Sequence, residues 1–329
     1  MLKSGFSQNK LDTSLAGSSS MSFLITKVIE FCFTCFITVL CLFLLLYFMP
    51  GDPFYAASMG LSSSATPDSH FLYFYEQFID WVTKLLQGDF GWSFLFNRPV
   101  ATILFPALKN SFFLVMIGLA VTLSCSYGLS ILAALYRESF LSKIINAFTL
   151  LSISVPTFWL CILFLSLYLK AITFSAEAQI LNSTFEINSL FAILIFALTH
   201  IGIFTHHFKT QLDSTLRENY IKTAKAKGAR RLQILMNHAT LPSLFPFLGM
   251  MSITLGQIFS GQLVIEIIFD YPGMGSLIMD SIMNNDIPLA SSSVLMMILA
   301  ALFASFLLTI TEHFILPYHH LALEKNHAI

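Results

Sequence analysis

Three groups of side chains have types and spacings that could do chemistry. Cys32 and Cys35 have C-x-x-C spacing, which thiol redox and metal sites use, but no second pair or histidine accompanies them. All five cysteines (Cys32, Cys35, Cys41, Cys125, Cys161) fall inside apolar runs, so they are expected to be small packing residues without a disulfide framework. His200, His206 and His207 are titratable near neutral pH and share one apolar run. They are expected near one end of it, where interfacial packing is favoured over proton transfer. Lys222, Lys225, Lys227, Arg230 and Arg231 crowd into one short segment and could bind an anionic partner. Motifs of self-sufficient catalysis are missing: no G-x-x-x-x-G-K-[ST] loop, no H-E-x-x-H and no G-x-S-x-G occurs. No cofactor, no metal and no catalytic residue is therefore expected.

The elements that must position these groups are membrane spans. Apolar residues make up 56% of the chain and charged ones 11%, and the mean hydropathy is +0.76. Soluble domains carry about 25% charged residues, so the composition predicts an all-α polytopic integral membrane protein. Six uncharged runs reach the ~20 residues that a crossing needs: 31–49, 111–136, 144–169, 187–208, 241–265 and 287–311. An even number puts both termini on one side. Assigning that side as cytoplasm leaves only Lys84, Arg98, Lys109 and Lys170 outside, as the positive-inside rule requires. Residues 1–20 are polar and Ser-rich and are expected to lack regular structure. Met21-Ser-Phe-Leu-Ile-Thr-Lys27 reads like a fresh start, so Met21 is expected to be the initiator or the extension to be dispensable. No small-x-small cleavage site follows the first run, which is therefore read as a retained span. A membrane domain of 21–316 and a cytoplasmic tail of 317–329 complete the layout.

The basic segment lies between the fourth and fifth runs, within the loop 209–240. On a helix, Leu216, Tyr220, Ala224 and Gly228 share one face that narrows from bulky to small. Such a face would fit a groove on another protein. Gly228 is expected to stop the helix, because glycine takes the left-handed conformation readily. Leu241-Pro242 then opens the next run, proline being tolerated in a first turn. A plain topology signal, an anionic-lipid patch or a nucleic-acid patch are the competing readings. The interleaved alanines and glycine suit neither patch, and no nucleic-acid partner is expected.

The run Lys222-Thr223-Ala224-Lys225-Ala226-Lys227-Gly228, followed by Leu241-Pro242, resembles the EAA loop of ABC-importer permeases. It is most similar to the Arg-Thr-Ala-x-Ala-Lys-Gly form of the oligopeptide/dipeptide/nickel permease family. Further motifs occur in that family's order. They are Pro50-Gly51-Asp52-Pro53 after the first run, then Gly88-Asp89-Phe90-Gly91-Trp92-Ser93-Phe94. Ser152-Ile-Ser-Val-Pro156-Thr-Phe-Trp159 and Glu266-Ile-Ile-Phe-Asp-Tyr-Pro272-Gly273-Met-Gly275 follow, and Asn285-Asp-Ile-Pro288 matches more loosely. Pro156 lies inside the third run, where it makes either a pivot or a tolerated kink.

The resemblance implies a B-type permease subunit of the type I importer fold in a bacterial inner membrane, with Tyr220 and 222–228 as the cytoplasmic coupling helix. It further implies a second related permease, two ATPase subunits inside and a solute-binding protein outside, all set in the lipid bilayer. Three departures stand out. Lys222-Thr223-Ala224 replaces Glu-Ala-Ala, Thr309 and Leu316-Pro-Tyr replace the family's terminal Asp and Asp-Pro-Arg, and Tyr47 replaces an arginine before the Pro-Gly-Asp-Pro turn. A stand-alone carrier or channel is the alternative reading. It would use an ionisable cluster at membrane depth, and the six runs contain no Asp, Glu, Lys or Arg.

Overall fold

Uncharged runs of this length can satisfy their backbone in lipid only as helices or closed barrels, and no run alternates as a barrel strand would. A computed structural model, which describes residues 4–48, 70–174 and 184–327, is accordingly helical almost throughout. Helix α1 covers Ser4–Tyr47 and α2 His70–Leu86. After them come α3 (Val100–Leu135), α4 (Phe140–Ser154), α5 (Thr157–Phe174) and α6 (Thr184–Thr215). The last four are α7 (Asn219–Ala226), α8 (Thr240–Ile268), α9 (Met274–Met283) and α10 (Ile287–His327). Strands β1 (Trp92–Ser93) and β2 (Arg98–Pro99) form a small antiparallel hairpin, Trp92 facing Pro99 and Ser93 facing Arg98.

Five described helices are long and apolar enough to cross a bilayer: Ser22–Tyr47, Val100–Leu135, Ser189–Thr215, Arg231–Ile268 and Ile287–Phe314. The third run, expected as one span with a pivot or a kink at Pro156, is broken there. Its halves α4 and α5 lie 102° apart and make a sixth crossing when taken together. Pro156 is the reason: it has no N–H to donate, and it forces Val155 into extended backbone (φ −86°, ψ 124°).

Three other expectations change. The fifth span begins at Arg231 rather than Leu241, running through a π-helical turn, Ile234–Ala239, into α8. Residues 4–20 continue α1 instead of lacking structure. The spans also overrun their uncharged cores and take in charged residues, among them Lys109, Glu266 and Glu312, of which Glu266 is fully buried.

Helix α6 sits at the centre of the bundle. Its Ala192, Ile195, Phe196, Phe204 and Phe208 meet Leu114, Val115 and Leu119 of α3, Cys161 of α5, and Phe247, Leu255 and Ile258 of α8. Lipid is as apolar as these side chains, so close approach and interhelical hydrogen bonds must hold the helices together. Both are present. Ser126 and Ser130 of α3 donate to the carbonyls of Ile201 and Thr205 on α6 (3.1 and 3.2 Å), and Ser152 of α4 donates to that of Leu198 (2.8 Å). A Cβ on Gly118 would come within 2.3 Å of the Phe196 ring, and one on Gly202 within 2.6 Å of Ser152.

Phe196 is fully enclosed, so its ring has nowhere to swing. Gly118→Ala is expected to cost about 1–3 kcal/mol by overpacking and to lower the unfolding midpoint in detergent. Gly128→Ala, in open space, is expected to leave that midpoint unchanged. Equal midpoints for the two variants would remove this account of α3–α6 packing.

Candidate functional site

The basic segment folds into α7, a helix of two turns. Its end is closed by Gly228, whose φ of +83° lies in the left-handed region. Ala229 N–H donates to the Ala224 carbonyl (3.2 Å) and Gly228 N–H to that of Lys225 (3.0 Å), so the last carbonyls are satisfied by a Schellman closure. Inward, α7 buries Ile221 completely among Ile131 and Ala134 of α3, Leu212 of α6, and Ile234, Leu235 and Ala239.

The narrowing face is turned the other way from the sequence expectation. Leu216, Tyr220 and Ala224 pack around Ile221 against this chain's own helices, because Ile221 fixes the rotation of α7. What α7 exposes is Lys222, Thr223, Lys225, Ala226 and Lys227, together with Gly228. The Tyr220 hydroxyl is buried without a partner among the described residues. Burial first, and the Glu218 carboxylate second, push its phenol above the ordinary range.

Arg231 donates to the carbonyl of Ala134 (2.7 Å) in the last turn of α3, where carbonyls lack helical partners and a cation is favoured. Leu241 and Pro242 are not part of α7. The π-helical turn separates them from it, and they lie in the rod that becomes α8, with Leu241 exposed. Pro242 cannot donate to the turn before it, and that turn is the one that widens.

At the opposite end of the bundle, two buried carboxylates fasten the motif loops. Glu266, at the end of α8, accepts from the Ser111 hydroxyl of α3 (2.6 Å), from the Gln262 amide and from the Gly275 N–H (2.6 Å). Ser111 in turn accepts from Met274 N–H (2.7 Å). Gly273 and Gly275 have to be glycine here. A Cβ would fall 2.4 Å from the Glu266 carboxylate at the first and 2.9 Å from the Leu263 backbone at the second. Asn110 donates to the Pro272 carbonyl (2.8 Å), and Tyr271 donates its hydroxyl to the Asn110 carbonyl (3.1 Å). Burial, then the nearby Glu266, raises the Tyr271 phenol and keeps it a donor.

Asp286 is the second pin. Its carboxylate accepts from Ser93 Oγ (2.6 Å) and Leu95 N–H (2.9 Å) on the hairpin, and from Leu289 N–H (3.2 Å) as the cap of α10. Asp89 accepts from Gly91 N–H (2.9 Å), and Gly91 lies beside Pro288. The structure thus brings Gly91 and Ser93 to Asp286 and Pro288, with Asp89 tied to Gly91 and Gly88 (φ +79°) closing α2. It brings Glu266, Pro272, Gly273 and Gly275 to the start of the second apolar run. Pro50, Gly51, Asp52 and Pro53 lie outside the described residues.

Sequence reasoning missed Ser93, Ser111, Gln262 and Asp286 as partners of these motifs. One signal was available: two acids, each beside a Pro or Gly turn, at the edges of uncharged runs.

Residues 126–317 match the family model described as "binding-protein-dependent transport system inner membrane component". A putative peptide transport system permease protein of Brucella abortus (strain 2308) is 28% identical over 267 residues, covering 77% of this chain and 84% of its own. A glutathione transport system permease protein of Pectobacterium atrosepticum is 24% identical over 84% of this chain and 91% of its own. An oligopeptide transport system permease protein of Bacillus subtilis (strain 168) is 26% identical over 65% of this chain and 70% of its own.

Proposed function

The chain belongs to the family of binding-protein-dependent transport system inner membrane components, and from that premise we propose that it is a permease for short peptides, driven through α7 by separate ATP-hydrolysing subunits. The proposed substrate class draws on relatives named for peptide, oligopeptide and glutathione transport. In this reading α7 faces the cytoplasm, as do both termini. A second, related permease encloses the path with this one, two ATPase subunits bind below, and a solute-binding protein docks on the loops pinned by Glu266 and Asp286.

One observation carries the proposal. A short, closed helix is anchored by Ile221 on its inner side and leaves Lys222, Thr223, Lys225, Ala226 and Lys227 exposed on the outer. A helix of two turns transmits displacement without bending. Its anchor residues belong to α3, α6 and the rod that becomes α8, so a pull on α7 reaches three spans at once. ATP-driven closure of the ATPases would shift the equilibrium between inward-open and outward-open arrangements of those spans.

Affinity purification from native membranes in mild detergent, followed by an ATPase assay, tests this reading. An ATPase and a second permease are expected to co-purify. A chain that emerges alone, and moves labelled trialanine into liposomes without ATP, would replace the importer with a stand-alone carrier or channel.

A further inference from the structure

The break in the third span opens beside a cavity of about 260 Å³. Its polar lining comes from three elements: Ser152 and Thr157 at the break, Thr199 and His200 on α6, and Thr254 and Gln257 on α8. All lie near mid-membrane depth. Pro156 is central in residues 140–170, His200 is central in Ser189–Thr215, and Thr254 and Gln257 lie within eight residues of the middle of Arg231–Ile268. The expectation that His200 lies near one end of its span changes, because it stands eight residues short of Phe208 and α6 continues to Thr215.

The chemistry of the lining is neutral and two-sided. His200 Nδ1 lies 2.8 Å from the Phe196 carbonyl, which can only accept. The proton therefore sits on Nδ1, and Nε2 is left as an acceptor. Pro156 offers no N–H to the last turn of α4, so carbonyls there lack helical partners, whereas at the start of α5 the Trp159 and Leu160 N–H groups turn to the Pro156 carbonyl (3.1 and 3.3 Å). The Thr157 hydroxyl has no partner among the described residues and can donate or accept. No Asp, Glu, Lys or Arg lines the cavity. It suits a neutral ligand that both donates and accepts, which is what a peptide bond does. The Ser152, Thr199 and Thr254 hydroxyls already donate to the carbonyls of Leu198, Ile195 and Met250. The groups that hydrocarbon would strand are therefore the Thr157 hydroxyl, His200 Nε2 and the carbonyls at the end of α4, and these place the opening on a water-filled path.

We propose that this notch is a station on the solute path, where main-chain amides of a passing peptide are hydrogen-bonded regardless of side chain. The inference rests on the peptide-importer reading above and adds the site of contact. The test uses the intact transporter in its native membrane, with radiolabelled trialanine at saturating concentration, so that loading of any solute-binding protein does not limit the rate. Thr157→Val is expected to lower saturated uptake about five- to tenfold, the effect of one hydrogen bond lost from the rate-limiting transfer. Thr157→Ser is expected to stay near the wild-type rate, with membrane levels equal in both variants.

A second measurement asks whether the peptide passes here. In Thr157→Cys, bromoacetyl-dialanine is expected to alkylate the new thiolate at position 157 with loss of bromide. The adduct should map to that peptide by mass spectrometry, and excess trialanine should suppress it. If the wild type takes up trialanine while Thr157→Val matches its rate and no adduct forms, the notch is not on the path. If the wild type takes up no trialanine, the peptide-importer reading itself falls, and the notch with it.

Discussion

Cells carrying Gly228→Asp are expected to import peptide at no more than about a tenth of the wild-type rate, a loss that 1.4 kcal/mol at the coupling step would produce. The protein itself should remain folded and inserted. Gly228 has a φ of +83°, and no heavy atom lies within 4 Å of where a Cβ would be. A side chain there meets no obstruction, and the left-handed backbone costs about 1–2 kcal/mol, least for Asn and Asp. What changes is the outer surface. A carboxylate appears beside Lys225 and Lys227 at the C-terminal end of α7, where the helix dipole disfavours negative charge. Gly228→Asn separates the two effects, since it has a similar backbone strain and no charge. Uptake of labelled trialanine, normalised to immunoblotted membrane protein, is the measurement. Normal uptake by Gly228→Asp at normal membrane levels would remove α7 from the coupling role.

Much of this architecture is legible in the sequence because lipid leaves few options. A run of 20 uncharged residues has to satisfy its own backbone, so the spans announce themselves. Gly228 as the end of α7 is legible for a similar reason: a basic helical run followed by glycine has one common closure. The rotation of α7 is not. Leu216, Tyr220 and Ala224 form a tidy face, but Ile221, one position away, finds the deeper pocket between α3, α6 and the π-helical turn. That pocket is built from residues up to 108 positions apart (Ile131 and Ala239), and periodicity within α7 cannot report it. The third span shows the same limit. Pro156 is visible in the sequence, yet whether it bends a helix slightly or by 102° depends on the cavity between α6 and α8 that takes up the break. At the opposite end, Glu266 and the two glycines are visible as a motif. Their common purpose emerges only when Ser111, over 150 positions earlier, is seen on the same carboxylate.

That purpose makes Gly275→Val the most damaging single change expected in the described structure. A Cβ at 275 would sit 2.9 Å from both the Cα and the carbonyl oxygen of Leu263, and backbone cannot step aside. Helix α9 would have to lift from α8, which pulls the Gly275 N–H off the Glu266 carboxylate (2.6 Å) and leaves a buried acid short of a donor. Overpacking at about 1–3 kcal/mol and loss of a charge-assisted bond at about 1.5–3 kcal/mol add to roughly 4 kcal/mol. Such a loss is enough to clear the protein from the membrane. Gly273→Ala offers a sharper test, because its obstruction is the Glu266 side chain alone, at 2.4 Å. In a Glu266→Ala background that obstruction is gone, so Gly273→Ala should cost much less there than in the wild type. Gly275→Ala should remain costly in both backgrounds, since its obstruction includes the Leu263 backbone. Unfolding midpoints of the wild type, the three single variants and the two double variants in detergent form the two cycles. Additive behaviour at 273 would mean that the glycine answers to something other than the carboxylate.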